Sequence, residues 1–418
     1  MTRHLVLWFE QRSVGDFRQL ADGRQEFQYH ETWCDAIDGF AISLALPRRR
    51  EPFGNRETRA FFGGLLPDDE VRKRLARHLQ VSWHNEFALL AEVGRECAGA
   101  LALWPPELRP TVPGRQPPQP IDDVALARLL RDLPQRPLLA GGELRLSLAG
   151  AQDKIAVVVH GGAIALPPVG MPSTHILKVP IANFAATVAN EFFSMQLAAA
   201  AGLVTPPTSM RIVDGMPILL VERFDRVRTP DGIVQRRHQE DFCQALGVPP
   251  ELKYQAEGGP GLPAIFELLT AHSTRAALDR LALLQMVFFH FLLGNADAHA
   301  KNFSLLLGVD HVRLAPVYDA MCTLVYPSLS SRLAMKIDKH FEFDEITVEH
   351  WEAFARTVGL APGMVRRRLE ELAATLPDLA RSVAARHPEI ADEPIVGSIL
   401  ACIGARCRAV LGQLRPGA

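Results

Sequence analysis

The stretch that decides the fold is GNADAHAKNFSLLLGVDHVRLAPVYDAMCT, which occupies residues 294–323. It follows a long apolar segment, and its pattern predicts a tight polar loop, a strand over 303–307 and a second polar loop. The first loop carries a dense set of polar side chains, namely Asn295, Asp297, His299, Lys301 and Asn302. Polar groups held between buried segments cost free energy unless they bind something, so we expect a functional site here.

Three residues of this stretch follow the order found in protein kinases. Asp297 is followed five residues later by Asn302, and Asp319 lies in the second loop. In that order the first aspartate orients the attacking hydroxyl, the asparagine holds a metal ion, and the second aspartate bridges metal and phosphate. Each residue alone is also typical of a helix cap or a tight turn. The three together favour a kinase site.

The composition is typical of a soluble protein with two or three domains. Of the 418 residues, 48% are hydrophobic and 22% charged, and the net charge of −2 argues against nucleic acid as the main ligand of the chain itself. Six cysteines without CxxC spacing predict a reducing compartment and no zinc site. The N-terminus predicts no signal peptide, and the longest apolar run, 282–293, is too short to span a bilayer. We therefore expect a cytoplasmic protein with no membrane partner.

The hydrophobic pattern and a proline-rich stretch divide the chain into four segments. Residues 1–104 predict a small α+β subdomain with strands over 5–9 and 40–46 and helices over 58–66 and 69–79. Residues 105–120 are rich in proline and predict a stiff linker. Residues 121–225 are rich in predicted strands. Residues 226–418 are mainly helical, with helices predicted over 236–247, 276–293, 347–358, 362–376 and 395–414.

The strand-rich segment contains two features that suit an anionic ligand. The turn AGAQDK (149–154) joins two predicted strands, and its small residues let a ligand approach the backbone while Lys154 adds positive charge. It matches neither standard glycine-rich phosphate motif, and by itself it predicts only a hairpin turn. Lys178 lies in an apolar strand and needs an anionic partner, for which Glu191 on the next helix is a candidate. Hairpin, lysine strand, helix and edge strand follow the order of a kinase N-lobe.

Taken together, these motifs resemble the HipA family, the kinase toxins of bacterial toxin–antitoxin modules. The resemblance covers nearly the whole length and is carried by SLAGAQDK (147–154), STHILKVP (173–180), NEFF (190–193), VERFDR (221–226), HQEDFCQALG (238–247), GNADAHAKNF (294–303) and LAPVYD (314–319). FFGGLLPDDEVR (61–72) is similar to the accessory N-terminal subdomain of full-length members. The resemblance implies an α+β, two-lobed protein-kinase-like fold. Its β-rich N-lobe would span 121–225, its all-α C-lobe 226–418, and its small N-terminal subdomain 1–104.

The resemblance also implies roles for individual residues. Asp297 would be the catalytic aspartate, with Asn302 and Asp319 holding Mg²⁺. Contacts to ATP would come from Ala149, Gly150, Ala151, Gln152, Asp153, Lys154, Lys178, Glu222, Arg223, Phe224, His299, Ala300, Lys301, Asn302, Tyr318 and Asp319. Residues 149–154 would cover the phosphates as a phosphate loop, Lys178 would contact the α- and β-phosphates, and residues 222–224 would face the adenine. Ser147 matches a serine whose autophosphorylation inactivates the kinase in this family. The family more often has a threonine in the catalytic loop; Ala296 removes no catalytic group.

The function implied by the resemblance is ATP- and Mg²⁺-dependent serine/threonine protein phosphorylation that inhibits growth and promotes persistence. The implied substrate is a component of translation, such as the aminoacyl-tRNA synthetase for glutamate. The implied partner is a HipB-like helix-turn-helix antitoxin, which would supply most of the affinity for operator DNA. Two alternatives remain: a small-molecule or lipid kinase of the same architecture, or a chain that serves mainly as co-repressor or scaffold for the antitoxin.

Overall fold

The computed structural model describes residues 3–110, 118–133, 139–140, 143–144, 152–168 and 170–414. The chain divides into two compact units. Unit 1 comprises Met1–Val179, Arg211–Glu251 and Leu305–Val312, and unit 2 comprises Pro180–Met210, Leu252–Ser304 and Arg313–Ala418. Each unit is therefore assembled from segments that are distant in sequence.

The first part of unit 1 is an antiparallel sheet packed against helices. Its elements are β1 (Arg3–Phe9), β2 (Arg12–Gln19), β3 (Gln25–Tyr29), α1 (Glu31–Cys34), α2 (Asn55–Gly64), α3 (Asp69–Leu79), α4 (Glu86–Val93) and β4 (Leu101–Trp104). The strands lie in the order β3-β2-β1-β4. Alternate strand residues such as Leu5 and Leu7 face a core in which the rings of Phe17 and Phe62 stack with their centroids 4.1 Å apart.

The prediction of a strand over residues 40–46 is wrong, because this segment is a loop. The hydroxyl of Tyr29 donates to the carbonyl of Leu46 at 2.6 Å and accepts from the backbone N–H of Ile42 at 2.9 Å. The indole N–H of Trp33 donates to the carbonyl of Phe40 at 3.0 Å. Buried side chains thus satisfy backbone groups that a strand would pair with another strand. The apolar residues of the segment pack around them.

A second sheet forms the rest of unit 1. The elements from residue 123 to 245 are α5 (Asp123–Asp132), β5 (Leu139–Ala140), β6 (Glu143–Leu144), β7 (Lys154–His160), β8 (Ala163–Ala165), β9 (His175–Lys178), α6 (Thr187–Ala200, in unit 2), β10 (Thr208–Val213), β11 (Met216–Glu222), β12 (Arg226–Arg228), β13 (Val234–Arg236), β14 (His238–Asp241) and α7 (Phe242–Ala245). Five strands lie in the order β10-β11-β9-β7-β8. Leu126 and Leu130 of α5 join Val157, Leu177 and Leu220 in the core of this sheet.

Unit 2 is mainly helical and is built around one buried helix. The remaining elements are α8 (Leu262–His272), α9 (Ala276–Leu293), β15 (Ser304–Leu307), β16 (Val312–Leu314), β17 (Arg332–Ile337), β18 (His340–Glu342), α10 (Val348–Thr357), α11 (Pro362–Arg386) and α12 (Pro394–Leu414). α9 packs against α8, α11 and α12. α9 and α12 are long and apolar enough to cross a membrane by length and composition, a test that a core helix of a soluble protein also passes, and 61% of the α9 window and 33% of the α12 window are buried. The α+β class predicted from the sequence is confirmed.

The helix predicted over residues 236–247 is only partly correct. Its first half is strand β14, which lies in a three-stranded sheet of order β14-β15-β16. The helix starts only at Phe242, where a capping box forms: the Asp241 carboxylate accepts from the Gln244 N–H at 2.8 Å, and the Gln244 side-chain oxygen accepts from the Asp241 N–H at 2.9 Å. Pairing with a distant strand overrides the local helical pattern.

Candidate active site

The end of α9 joins the bases of the two polar loops in unit 2. α9 stops at Gly294, which has a φ of +81° that suits glycine. The carbonyl of Gly294 accepts from the backbone N–H groups of Thr323 and Leu324 at 3.0 and 3.1 Å. The hydroxyl of Thr323 accepts from the N–H of Ala296 at 2.7 Å. The loop that starts at Asn295 and the chain after Asp319 are therefore bound together at their bases.

The first loop presents an exposed carboxylate on a hydrogen-bonded frame. Asp297 is exposed, and its N–H donates to the Asn295 side-chain oxygen at 3.0 Å. Its carbonyl accepts from the N–H of His299 at 2.7 Å and from the side-chain nitrogen of Asn302 at 3.4 Å. Burial lowers the pKa of His290 to about 4, so its neutral ring can accept from the amide of the buried Asn295 at 3.0 Å. The backbone of the predicted catalytic residue is thus fixed, while its carboxylate faces outward.

Sequence analysis missed the residue that holds the Asp297 carboxylate. The hydroxyl of Tyr254 donates to Oδ1 of Asp297 at 2.6 Å. The ring of Tyr254 meets the ring of His299 edge-on, with centroids 5.2 Å apart. Tyr254 precedes Asp297 by 43 residues and lies in a segment without a recognisable motif, so no local signal identifies it.

In the second loop, hydrogen bonds of residues on either side of Asp319 fix its position. The hydroxyl of Tyr318 donates to the carbonyl of Lys301 at 2.7 Å, which ties this loop to the first one. Asp319 is half-buried and has a φ of +58°, in the left-handed region that residues other than glycine seldom adopt. Downstream, the Asn190 side chain accepts from the N–H of Cys322 and donates to its carbonyl, both at 2.9 Å. The left-handed backbone of Asp319 is strained, and strain of this kind persists only where the surrounding structure enforces it, as is typical of functional sites.

Asn302 and Asp319 offer oxygen ligands that fit Mg²⁺. The amide nitrogen of Asn302 already donates to the carbonyl of Asp297, so its amide oxygen is the group left to act as a ligand. Asp319 contributes a carboxylate. Carboxylate and amide oxygens are what Mg²⁺ prefers in proteins.

In unit 1, two predicted phosphate-binding lysines lie side by side. Lys154 on β7 is directly opposite Lys178 on β9, and both are buried. The side-chain nitrogen of Gln152 donates to the carbonyl of Val179 at 2.6 Å, which fixes the end of the predicted phosphate loop against β9. Two buried lysines at paired positions of the sheet supply the positive charge that the predicted contact with phosphate requires.

The other predicted ATP-contacting residues differ in position. Glu222 is exposed at the end of β11, and Phe224 is half-buried. Arg223 is buried, and its guanidinium donates to both oxygens of Asp225 at 2.8 and 2.6 Å and to the carbonyl of Cys97 at 3.0 Å. The Arg223 side chain is therefore engaged inside the protein, and the contact of residues 222–224 with ATP stays a prediction.

The predicted site residues fall into three groups. Gln152, Asp153, Lys154, Lys178, Glu222, Arg223 and Phe224 belong to unit 1, and Asp297, His299, Ala300, Lys301, Asn302, Tyr318 and Asp319 belong to unit 2. Within unit 2, hydrogen bonds connect the two loops. Ser147, Ala149, Gly150 and Ala151 lie outside the described residues.

Comparison with known proteins gives matches along almost the whole chain. Residues 146–380 match the HipA-like C-terminal domain, and residues 5–104 match the HipA N-terminal domain. The Sinorhizobium fredii protein Y4mE, which carries a kinase name, is 49% identical over 88% of this chain and 89% of its own. The serine/threonine-protein kinase toxin HipA of Shewanella oneidensis is 30% identical over 92% of this chain and 91% of its own.

The solved structures agree with these matches. A structure of the Shewanella oneidensis MR-1 toxin–antitoxin system, containing HipA, HipB and its operator DNA, superposes with a TM-score of 0.86 at 28% identity, covering 98% of this chain and 97% of that one. The kinase-like fold expected from the sequence is thereby confirmed. The chain belongs to the HipA family of serine/threonine protein kinase toxins.

Proposed function

We propose that the chain transfers the γ-phosphoryl group of ATP, with Mg²⁺, to a serine or threonine of a protein and thereby inhibits growth. The observation that carries the proposal is the loop of Asp297. Its carboxylate is exposed, its backbone is fixed on both sides, and the amide of Asn302 is bonded to its carbonyl. A rigid frame with an outward carboxylate and an adjacent metal ligand suits phosphoryl transfer, where alignment and charge neutralisation supply most of the catalysis.

Each group then has a defined task. Asp297 would accept a hydrogen bond from the substrate hydroxyl, orient it for in-line attack and take its proton as the new bond to phosphorus forms. Tyr254 would hold the carboxylate in position. Lys154 and Lys178 would offset the phosphate charge. Asn302 and Asp319 would hold Mg²⁺, which neutralises charge on the phosphates when it is bound.

The family also suggests the partners and the substrate. The solved relative contains HipB and operator DNA, which supports a HipB-like antitoxin that brings this chain to its operator. With a net charge of −2, the chain itself is poorly suited to bind DNA. We propose a translation component, such as the aminoacyl-tRNA synthetase for glutamate, as the cytoplasmic substrate. Ser147 is the proposed site of inactivating autophosphorylation, which mass spectrometry after incubation with Mg-ATP would locate.

Substitution of Asp297 tests the proposed function. Asp297→Asn keeps the shape of the side chain but removes the proton acceptor, so phosphorylation should fall by about 10²- to 10⁴-fold. Growth inhibition should disappear with it. Asp310→Asn is the matched control, because Asp310 is exposed on the turn between β15 and β16.

The assay would supply Mg-ATP with an isotopic label in the γ-phosphate and follow the label into protein, lipid and small-molecule fractions of a cell lysate. Label in serine or threonine of protein is the expected result. Near-native transfer by Asp297→Asn, or label confined to lipid or small molecules, would contradict the proposal.

A further inference from the structure

One arginine of the N-terminal part of unit 1 reaches the predicted phosphate loop. Arg74 lies on α3, within the region that matches the HipA N-terminal domain, and its guanidinium forms an ion pair with the carboxylate of Asp153. Asp153 lies between Gln152, which is bonded to β9, and Lys154, the first residue of β7. A residue outside the kinase fold thus contacts the end of a segment predicted to bind ATP.

The ion pair is partly sheltered from water, so solvent and salt screen it less than a surface pair. The Arg74 side chain is 25% exposed and the Asp153 side chain 15% exposed. Burial raises the pKa of Asp153, and the attraction of Arg74 opposes that rise. Removal of the arginine would leave a poorly solvated carboxylate without its cation, which favours movement of the loop or protonation of Asp153.

The helix that carries Arg74 is itself anchored. Arg72, one of the buried residues of α3, pairs with Glu86 at 3.0 Å and with Glu251 at 3.4 Å. A fixed helix is needed for a long arginine side chain to position its partner.

A second set of ion pairs joins the N-terminal part of unit 1 to residues 223–236. The buried Glu96 accepts from Arg226 at 2.8 Å and from Arg223 at 3.3 Å, and it also pairs with Arg236. Burial raises the pKa of Glu96, but the three guanidinium groups outweigh it and hold that pKa far below its usual range. Arg223 stands between Glu222 and Phe224, the residues predicted to face adenine.

We propose that Arg74 is a positioning residue that holds the Asp153 end of the phosphate loop ready for nucleotide, so that the N-terminal domain sets ATP affinity. This inference rests on the proposed kinase function. Arg74 acts through Asp153 and touches no reacting atom. Its removal therefore raises the KM for ATP and leaves kcat nearly unchanged once ATP is saturating.

The test compares wild type, Arg74→Ala, Arg74→Lys and Arg77→Ala. Arg77 is exposed on the same helix and is the matched control for loss of one positive charge. Titration with Mg-ATP should give a dissociation constant about tenfold higher for Arg74→Ala, the size expected when a sheltered charged contact is lost. Arg74→Lys keeps the charge without the forked guanidinium and should lie between Arg74→Ala and wild type. Arg77→Ala should match wild type.

Each outcome has one meaning. Unchanged affinity in Arg74→Ala, or an equal loss in Arg77→Ala, would overturn the inference. A fall in kcat at saturating ATP would overturn it as well. If wild type itself fails to bind Mg-ATP, the proposed function fails instead. Arg74→Lys keeps the test decisive should Arg74→Ala fold poorly, because an affinity equal to wild type would overturn positioning by the guanidinium and a loss of affinity would support it.

A separate observation concerns two thiols in unit 2. The side chains of Cys322 and Cys402 lie beside the same glycine at the end of α9. Both sulfurs surround Gly294: a Cβ built there would lie 2.9 Å from Sγ of Cys402 and 3.4 Å from Sγ of Cys322. Cys322 is buried, whereas Cys402 is partly exposed on α12. The neighbouring Cys322 thiol lowers the pKa of Cys402 to about 7, with Arg406 adding to the effect.

From this geometry we infer that Cys402 and Cys322 are a site of reversible oxidation by peroxide. The thiolate of Cys402 attacks a peroxide oxygen, which breaks the O–O bond and gives a sulfenic acid and, after protonation, water. The sulfur of Cys322 then attacks the sulfenic sulfur, which forms the disulfide and releases a second water. Two thiols lose two electrons in total, and hydrogen peroxide accepts them.

Peptide mass spectrometry tests this site without reference to kinase activity. After treatment with stoichiometric hydrogen peroxide, peptides containing Cys322 and Cys402 should be joined, and dithiothreitol should separate them. Cys34 is the control, because it is partly exposed but burial raises its pKa. Cys322→Ser should leave Cys402 as a sulfenic acid that a dimedone probe captures. Absence of the joined peptide in wild type, or equal oxidation of Cys34, would overturn the inference.

Discussion

At the scale of single residues, Tyr254 is the clearest test of how Asp297 is held. Its hydroxyl donates to the carboxylate at 2.6 Å. Tyr254→Phe keeps the ring against His299 and removes only this bond. We expect kcat to fall about three- to tenfold, because a bond to a charged group is worth roughly 1.5–3 kcal/mol and only part of it changes during the reaction. The dissociation constant for Mg-ATP should stay within twofold, and an unchanged kcat would show that Tyr254 does not position Asp297.

Glu240 gives the fold a residue-scale dependence on pH. It is buried on β14, accepts from the N–H of Leu44 at 2.9 Å, and burial raises its pKa from 4.5 to about 8. The unfolded chain releases this proton near pH 4.5, whereas the folded chain keeps it until about pH 8. The folded state thus binds more protons between these values, so this contribution to stability is complete below about pH 4.5 and lost as the pH rises through 8.

We therefore expect the Tm of wild type to fall more steeply than that of Glu240→Gln between pH 6 and 9. The buried glutamine carries no charge at any pH, so its contribution should not titrate. Each kcal/mol of lost stability corresponds to roughly 1 °C in Tm for a chain of 418 residues that unfolds as a whole. Calorimetry of both proteins across the pH range measures the difference, and parallel curves would contradict the titration of Glu240.

At the scale of elements, the two loops at the end of α9 should bind the metal together. Asn302→Ala and Asp319→Asn each weaken an oxygen ligand, so each should reduce the affinity for Mg-ATP more than for ATP without the ion. Nucleotide titration with and without Mg²⁺ measures both. Wild type that binds the two forms equally well would contradict the metal assignment.

Local pattern predicts the elements whose signals are local. The helix over 276–293 and the helix over 69–79 have the predicted bounds. The strand over 238–241 and the loop over 40–46 depend on partners distant in sequence, which periodicity does not reveal. The polar residues of the loops can be identified from sequence because they are close together along the chain. Tyr254 and Arg74 cannot, because the residues that they contact are 43 and 79 positions away.

At the scale of the whole molecule, catalysis and repression should be separable. The proposed antitoxin would bring operator DNA to a chain whose own net charge is −2. Asp297→Asn changes an exposed carboxylate in a catalytic loop and leaves the rest of the surface intact. We expect it to abolish growth inhibition while a reporter under the operator stays repressed when the antitoxin is present. Loss of repression with toxicity retained would favour the co-repressor role.

The left-handed backbone of Asp319 has a consequence for a complete substitution library at this codon. At a φ of +58°, glycine and asparagine meet the backbone demand, alanine is strained, and valine or isoleucine is strained most. Steady-state abundance of the variants should follow that order. Survival of cells that express the variants should not follow this order, because any replacement without the carboxylate would lose the proposed Mg²⁺ ligand and with it growth inhibition. Abundance and survival at one position would thus report separately on the shape of the chain and on its chemistry.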